Sequence, residues 1–310
     1  MIGFSVVTRN LVKVRGGRRA LDDLSLSVPR GSIMGLVGEN GAGKTTWMMT
    51  AAGLLAPDGG EVDLLGAGGF DAAVHSGRIA ILPQDSELPL EMPLSRTLYR
   101  FGRMQGLSAE AAKKSVREVL EAVNLGDRAD CPVRALSHGM RKRAMVAQCF
   151  IGNAEVVFLD EPLNGLDPVE AERLRRFLAR QRGNRTLIIS SHNLEDVQRL
   201  CTHVAFIARG RLQRMDTVRS ITHGADRIVF TLASAVADLP ALLAAAPGVE
   251  IEWNEKSSAL VCSLAAFSGG AAQANRLLIP AILAQTDILS LNLGCSLEEA
   301  FLGKGGGFSG

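Results

Sequence analysis

Residues 38–46 read GENGAGKTT, and no other part of the chain constrains the fold as tightly. Gly38, Gly43, Lys44 and Thr45 fit the phosphate-binding loop pattern G-x-x-x-x-G-K-[ST], which needs a strand before it and a helix after it. Ile33–Val37 (IMGLV) is an apolar run of strand length, and residues 45–52 read as a helix. The spacing therefore predicts a strand–loop–helix unit in an α/β fold. Gly41 and Gly43 let the backbone curl, so that N–H groups of Glu39, Asn40, Ala42, Thr46 and their neighbours can point inward at phosphate oxygens. The helix opening near Thr45 brings its positive dipole end to the same place. Lys44 is a mobile cation for the terminal phosphates, and the Thr45 hydroxyl is an oxygen ligand of the kind Mg²⁺ prefers.

Such a unit needs sheet around it, and the chain supplies it. Strand-like segments at 3–7, 11–14 and 24–28 precede the loop. Turn-rich residues 57–60 lead into a short strand at 61–64, and strand–helix alternation continues to about residue 210. Val156–Leu159 (VVFL) and residues 186–190 (TLIIS) suit central parallel strands covered on both faces. Helical periodicity spans 171–182. Residues 93–150 are poor in β-branched clusters, and Ser108 can cap a helical run at 109–123, which predicts an inserted helical subdomain.

From about residue 220 the pattern changes. A strand at 227–232, a helix at 235–245, a hairpin of 250–253 with 259–263, a helix at 271–284 bent or interrupted at Pro280, and a strand at 288–292 give the order βαββαβ. That order predicts a ferredoxin-like module. The expected division is 1–219 for an ATPase domain, 220–303 for a small α+β domain and 304–310 (the end of GKGGGFSG) for a flexible tail.

Composition narrows the function classes. Of 310 residues 21% are charged and 47% hydrophobic, and the net charge of +2 gives no nucleic-acid footprint. The basic residues Arg9, Lys13, Arg15, Arg18 and Arg19 read as a solvated strand and turn. No run reaches the roughly twenty apolar residues of a membrane helix, since Pro280, Gln285 and Asp287 break the most apolar stretch. No signal peptide is expected from MIGFSVVTRN, so a cytoplasmic location follows. Cys131, Cys149, Cys201, Cys262 and Cys295 lack metal-site spacing and read as free thiols.

Downstream lie ILPQD at 81–85, LSHGM at 136–140, VVFLDE at 156–161, NGLD at 164–167 and SSHN at 190–193. Asp160 ends a buried apolar strand, so its carboxylate emerges at the sheet's C-terminal edge, where it can hold Mg²⁺. Glu161 points differently and can polarise an attacking water as general base. Gln84 can touch the Mg²⁺ or that water.

The order and spacing of these motifs resemble the ATP-binding subunit of ABC transporters over about residues 1–220. That resemblance implies ATP and Mg²⁺ as cofactors and ATP hydrolysis as the activity. It makes His192 the switch histidine at the γ-phosphate. Ser137 and Gly139 would recognise ATP held by a second subunit, with a hydroxyl and an unobstructed N–H. Asp167 would cross the dimer interface. LSHGM departs from the usual LSGGQ at His138 and Met140. Arg15 stands where the family usually places an aromatic to stack on adenine, and a guanidinium plane can also stack on a base.

Two such subunits, expected here as a homodimer, would sandwich two ATP molecules and drive a separate polytopic membrane subunit. In the family that subunit docks near the stretch from Asp85 to Arg100, where Leu88, Leu90, Met92 and Leu94 lie between prolines. The protein would then sit peripherally on the inner face of the membrane. SLEEAFL at 296–302 resembles the tail of ATPase subunits of bacterial exporters. The competing reading is a soluble ABC-type ATPase acting on ribosomes or nucleic acid. One cassette, a short insertion and no charged linker favour transport.

Overall fold

The structure, a computed structural model, describes residues 3–222, 227–255, 258–264, 266–294 and Leu297. Residues 296 and 298–302 of SLEEAFL, Cys295 and the 304–310 tail lie outside them. The chain divides into two compact units, Met1–Asp216 and Thr217–Gly310.

The first unit opens with two twelve-residue antiparallel strands, β1 (Phe4–Arg15) and β2 (Arg18–Pro29). The expected breaks between 3–7 and 11–14, and before 24–28, are not there. Asn10 bulges out of the ladder at φ 49° without ending the strand, because its N–H donates to Ser25 Oγ at 2.8 Å and its Nδ2 to Asp23 Oδ1 at 2.6 Å. A polar interruption of the apolar pattern is thus absorbed without ending the strand. β3 (Ile33–Val37) follows, with all five residues buried, and then α1 (Lys44–Ala51). β4 (Gly59–Leu64) returns to pair with β1.

A short α2 (Ala72–His75) precedes β5 (Ile79–Leu82). The inserted helices are α3 (Leu94–Met104), α4 (Ala109–Ala122) and α5 (His138–Gln148), with two 3₁₀ turns between the last two. Ser108 caps α4 through the Ala111 N–H. Then come β6 (Val156–Leu159), α6 (Pro168–Ala179), β7 (Thr186–Ser191), α7 (Leu194–Leu200), β8 (His203–Ala208) and β9 (Arg211–Thr217). α6 starts three residues before the expected 171, because Asp167 caps it and Pro168 fits its first turn.

The main sheet has the order β5-β6-β7-β3-β8-β9, parallel from β5 through β8. Helices shield it, so β3, β6 and β7 are buried along their length. Trp47 of α1 is fully buried in the adjoining core and donates its indole N–H to Thr8 Oγ1 at 3.1 Å. This packing fixes the strand ends that carry the site.

The second unit contains α8 (Val218–Thr222), β10 (Arg227–Leu232), α9 (Leu239–Ala245), β11 (Glu250–Asn254), β12 (Ala259–Ser263), α10 (Gly270–Leu283) and β13 (Ile288–Leu293). Its antiparallel sheet has the order β11-β12-β10-β13. Phe230, Leu260, Leu278 and Ile282 centre its core. α9 begins at 239, later than expected, where Asp238 accepts the Ala241 N–H at 2.9 Å. α10 runs on through Pro280.

Candidate active site

The C-terminal ends of β3, β6 and β7 meet at one place, and each delivers a different functional group. After β3 the chain enters the glycine loop. Gly43 adopts φ 109° and Gly41 φ 82°, a region L side chains disfavour. A Cβ on Gly38 would lie 2.2 Å from the Ile207 carbonyl oxygen, and one on Gly43 2.6 Å from that of Ala20. Lys44 folds back over the loop, donating from Nζ to the Gly38 carbonyl at 2.6 Å and the Glu39 carbonyl at 3.0 Å. Its burial lowers the pKa of the ammonium, against the opposing pull of Glu161 and Asp160.

β6 ends at Asp160, which is 3% exposed and satisfied on both oxygens. Thr45 Oγ1 donates to Oδ2 at 2.6 Å, and Ser190 Oγ donates to Oδ1. Ser190 also accepts the Glu161 N–H at 2.8 Å. One fully buried serine of β7 therefore holds both members of the acidic pair. Glu161 sits at φ 48°, a left-handed conformation that costs a non-glycine residue about 1 kcal/mol or more. The turn in the backbone aims its carboxylate away from that of Asp160. His192, just past β7, brings Nδ1 to 3.0 Å from both Glu161 carboxylate oxygens.

A cavity of about 540 Å³ opens over this cluster. Arg15, Asn40, Gly41, Gly43, Lys44, Thr45, Thr46, Gln84, Asp160 and Glu161 line it, together with Ala20. Gly38, Glu39 and Ala42 complete the loop behind it, and His192 connects to it through Glu161.

Ser137, Gly139 and Asp167 do not line this cavity. Ser137 is exposed and caps α5, accepting the Met140 N–H at 3.2 Å. Asp167 is exposed and caps α6 through the N–H groups of Val169 and Glu170, both at 3.0 Å. A Cβ at Gly139 would lie 3.1 Å from Glu170 Cγ, a tight contact that the Glu170 side chain would have to relieve by a few tenths of an ångström.

Sequence reasoning missed Ser190 as a site residue. A serine inside TLIISS, whose six positions are all buried, was the available signal, because a buried hydroxyl must find a partner. Ala20 left no such signal.

Among the described residues no group of three or more His, Cys, Asp or Glu could hold a metal ion. The donor set here is instead one carboxylate, one hydroxyl and one amide, from Asp160, Thr45 and Gln84. Oxygens of Thr45 and Asp160 already converge at the cavity wall. That set fits Mg²⁺, which binds through one or two carboxylates and leaves the rest of its shell to water and substrate phosphates.

These features define a phosphate-loop nucleotide-binding protein of α/β type. The family model described as ABC transporter matches residues 21–164. The chain is 39% identical over 207 residues to a Nod factor export ATP-binding protein I of Ralstonia nicotianae, covering 65% of this chain and 63% of that protein. It is 38% identical to the protein of that name from Burkholderia lata, covering 66% and 67%. Among solved structures, an ATP-binding subunit of an ABC transporter superposes with a TM-score of 0.62 at 25% identity, covering 70% of this chain and 91% of that one. A dimeric ATP-binding cassette bound to ADP and Pi gives 0.62 at 20% identity, covering 69% and 99%, and shares the fold. The chain belongs to the ABC transporter ATP-binding family.

Proposed function

We propose that this chain is an ATP-hydrolysing subunit that pairs with a second copy of itself and powers export by a separate membrane protein. The observation that carries the reading is the continuous polar chain Thr45–Asp160–Ser190–Glu161–His192 along the wall of the glycine-loop cavity.

In this reading Lys44 leaves the Gly38 and Glu39 carbonyls for the terminal phosphates. The loop N–H groups and the start of α1 hold the others. Thr45, Asp160 and Gln84 would hold Mg²⁺, which neutralises phosphate charge when bound. Glu161 takes the proton of the attacking water, and His192 orients Glu161 through the Nδ1 contact. Arg15, exposed at the end of β1, stacks on the base. Ser137 and Gly139 meet the triphosphate held by the partner, and Asp167 crosses between subunits.

The export direction comes from the relatives' name, Nod factor export ATP-binding protein I. Among the described residues no helix is long and apolar enough to cross a membrane, so the motor works through a partner on the inner face. The docking segment runs from Asp85 to Arg100. Leu88 and Leu94 there are buried in this chain, which leaves Leu90, 48% exposed, and the half-buried Met92 as its apolar contacts. The second unit is a ferredoxin-like module. Its order β10-α9-β11-β12-α10-β13 and antiparallel arrangement β11-β12-β10-β13 support that reading.

Glu161→Gln tests the proposal. Turnover should fall about 10²–10⁴-fold with ATP affinity kept, and an ATP-stabilised dimer should accumulate. Hydrolysis at the normal rate by that variant refutes the role of Glu161.

A further inference from the structure

The segments proposed to face the partner, Ser137–Gly139 and Asp167, and the segment facing the chain's own nucleotide, His192, leave from different helices. All three meet α6. Arg143 of α5 is 2% exposed and brings Nε to 2.5 Å from Glu170 Oε2 of α6. Its Nη1 donates to the Val123 and Asn124 carbonyls at the end of α4, the latter at 3.0 Å. A buried guanidinium is costly without a partner, and burial lowers the pKa of Arg143 while Glu170 pulls it back. Glu170 is also the residue that packs closest to Gly139, its Cγ 3.1 Å from where a Cβ would stand, and its N–H is capped by Asp167.

One and a half turns further along α6, Arg175 reaches the other way. Its Nε lies 3.2 Å from Asp196 Oδ1 of α7, and both side chains are mostly buried, at 14% and 19% exposure. Glu172 steadies the same guanidinium at 2.5 Å. Asp196 lies in the first turn of α7, where its N–H is held at 3.2 Å by Asn193, the residue directly after His192. Exposed ion pairs contribute little, but these two are shielded and each bridges separate elements. Among the described residues Arg143 Nε, Glu170 Oε2 and Arg175 Nε make no hydrogen bond, so the contacts act as charge pairs.

We propose that α6 is a coupling bar. Arg143–Glu170 locks the Ser137–Gly139 segment to it, and Arg175–Asp196 locks the His192 segment to it. Engagement of a second copy at Ser137 and Asp167 is thereby transmitted to the His192–Glu161 pair of the same chain. Glu170, Arg175 and Asp196 are positioning residues in this scheme. It rests on the dimeric ATPase reading above.

The test uses the full chain with ATP and magnesium. Asp196→Asn should lower kcat at least about tenfold and leave KM within about twofold, the pattern of a lost transition-state interaction. Arg175→Lys, which keeps the charge, should retain most of kcat. In the Glu161→Gln background, Glu170→Gln should weaken ATP-driven dimerisation in the ultracentrifuge about tenfold, with binding of a fluorescent ATP analogue to the monomer unchanged. Unchanged kcat in Asp196→Asn together with unchanged dimerisation in Glu170→Gln overturns the coupling bar. So does a matching loss of analogue binding, which marks general loosening of the fold. If the Glu161→Gln protein with Glu170 intact fails to dimerise with ATP, the dimeric reading itself falls, and the coupling bar with it.

Discussion

The glycine-loop cluster and the Ser137–Asp167 region are built on opposite principles. In the first, Asp160 and Glu161 are buried, Thr45 and Ser190 hold the Asp160 carboxylate, and Ser190 also takes the Glu161 N–H. In the second, Ser137 and Asp167 are exposed, and each is engaged only in capping its own helix. A preformed half and a half with loosely committed polar groups suit a site completed by a second molecule. The first needs rigidity to position charge, and the second needs groups that can exchange a local hydrogen bond for a ligand.

That contrast can be broken by substitution. The largest effect is expected from Asp160→Asn, which removes the only carboxylate of the Thr45–Asp160–Gln84 set. Magnesium-dependent turnover should fall about 10²–10³-fold in a steady-state assay, the scale of losing one preorganised electrostatic group. Next is Lys44→Ala. Calorimetry should show ATP affinity lowered by about 1.5–3 kcal/mol, the worth of a charge-assisted contact, and unchanged affinity would refute the phosphate role.

Ser190→Ala should cost about 1–3 kcal/mol of stability by denaturant titration, because two buried partners lose their bond, and should lower turnover as well. The smallest stability change belongs to the other half. Ser137→Ala should cost about 1 kcal/mol as a lost helix cap and leave nucleotide affinity of the monomer unchanged. It should nevertheless weaken ATP-driven pairing. If Ser137→Ala altered monomer affinity as strongly as Lys44→Ala does, the division into two halves would be wrong.

Much of the fold was legible because its physics is local. IMGLV has only buried positions and the glycine pattern permits one backbone course, so strand, loop and helix follow each other within a residue of the expected bounds. Asp160 was legible for the same reason, as the first charge after VVFL. What stayed hidden depends on partners distant in sequence. β1 runs through Asn10 because Asp23 and Ser25 of β2 satisfy that residue. β5, β8 and β9 were passed over individually; β5 and β9 are edge strands with mostly half-buried or exposed positions, whereas β8 has a buried VAFI run that was a usable signal. Ser190 reads as the end of a strand and the start of SSHN, and its role as partner of both acids rests on contacts 29 and 30 residues away. The pairing of Arg143 with Glu170 and of Arg175 with Asp196 has no signal in the sequence, because helical periodicity does not tell which charged side faces another helix.

The posture of Lys44 has one further consequence. Its ammonium is hydrogen-bonded to two carbonyls of its own loop, so the protein itself satisfies this buried cation. Any phosphate group that draws on this ammonium competes with the Gly38 and Glu39 carbonyls for its protons.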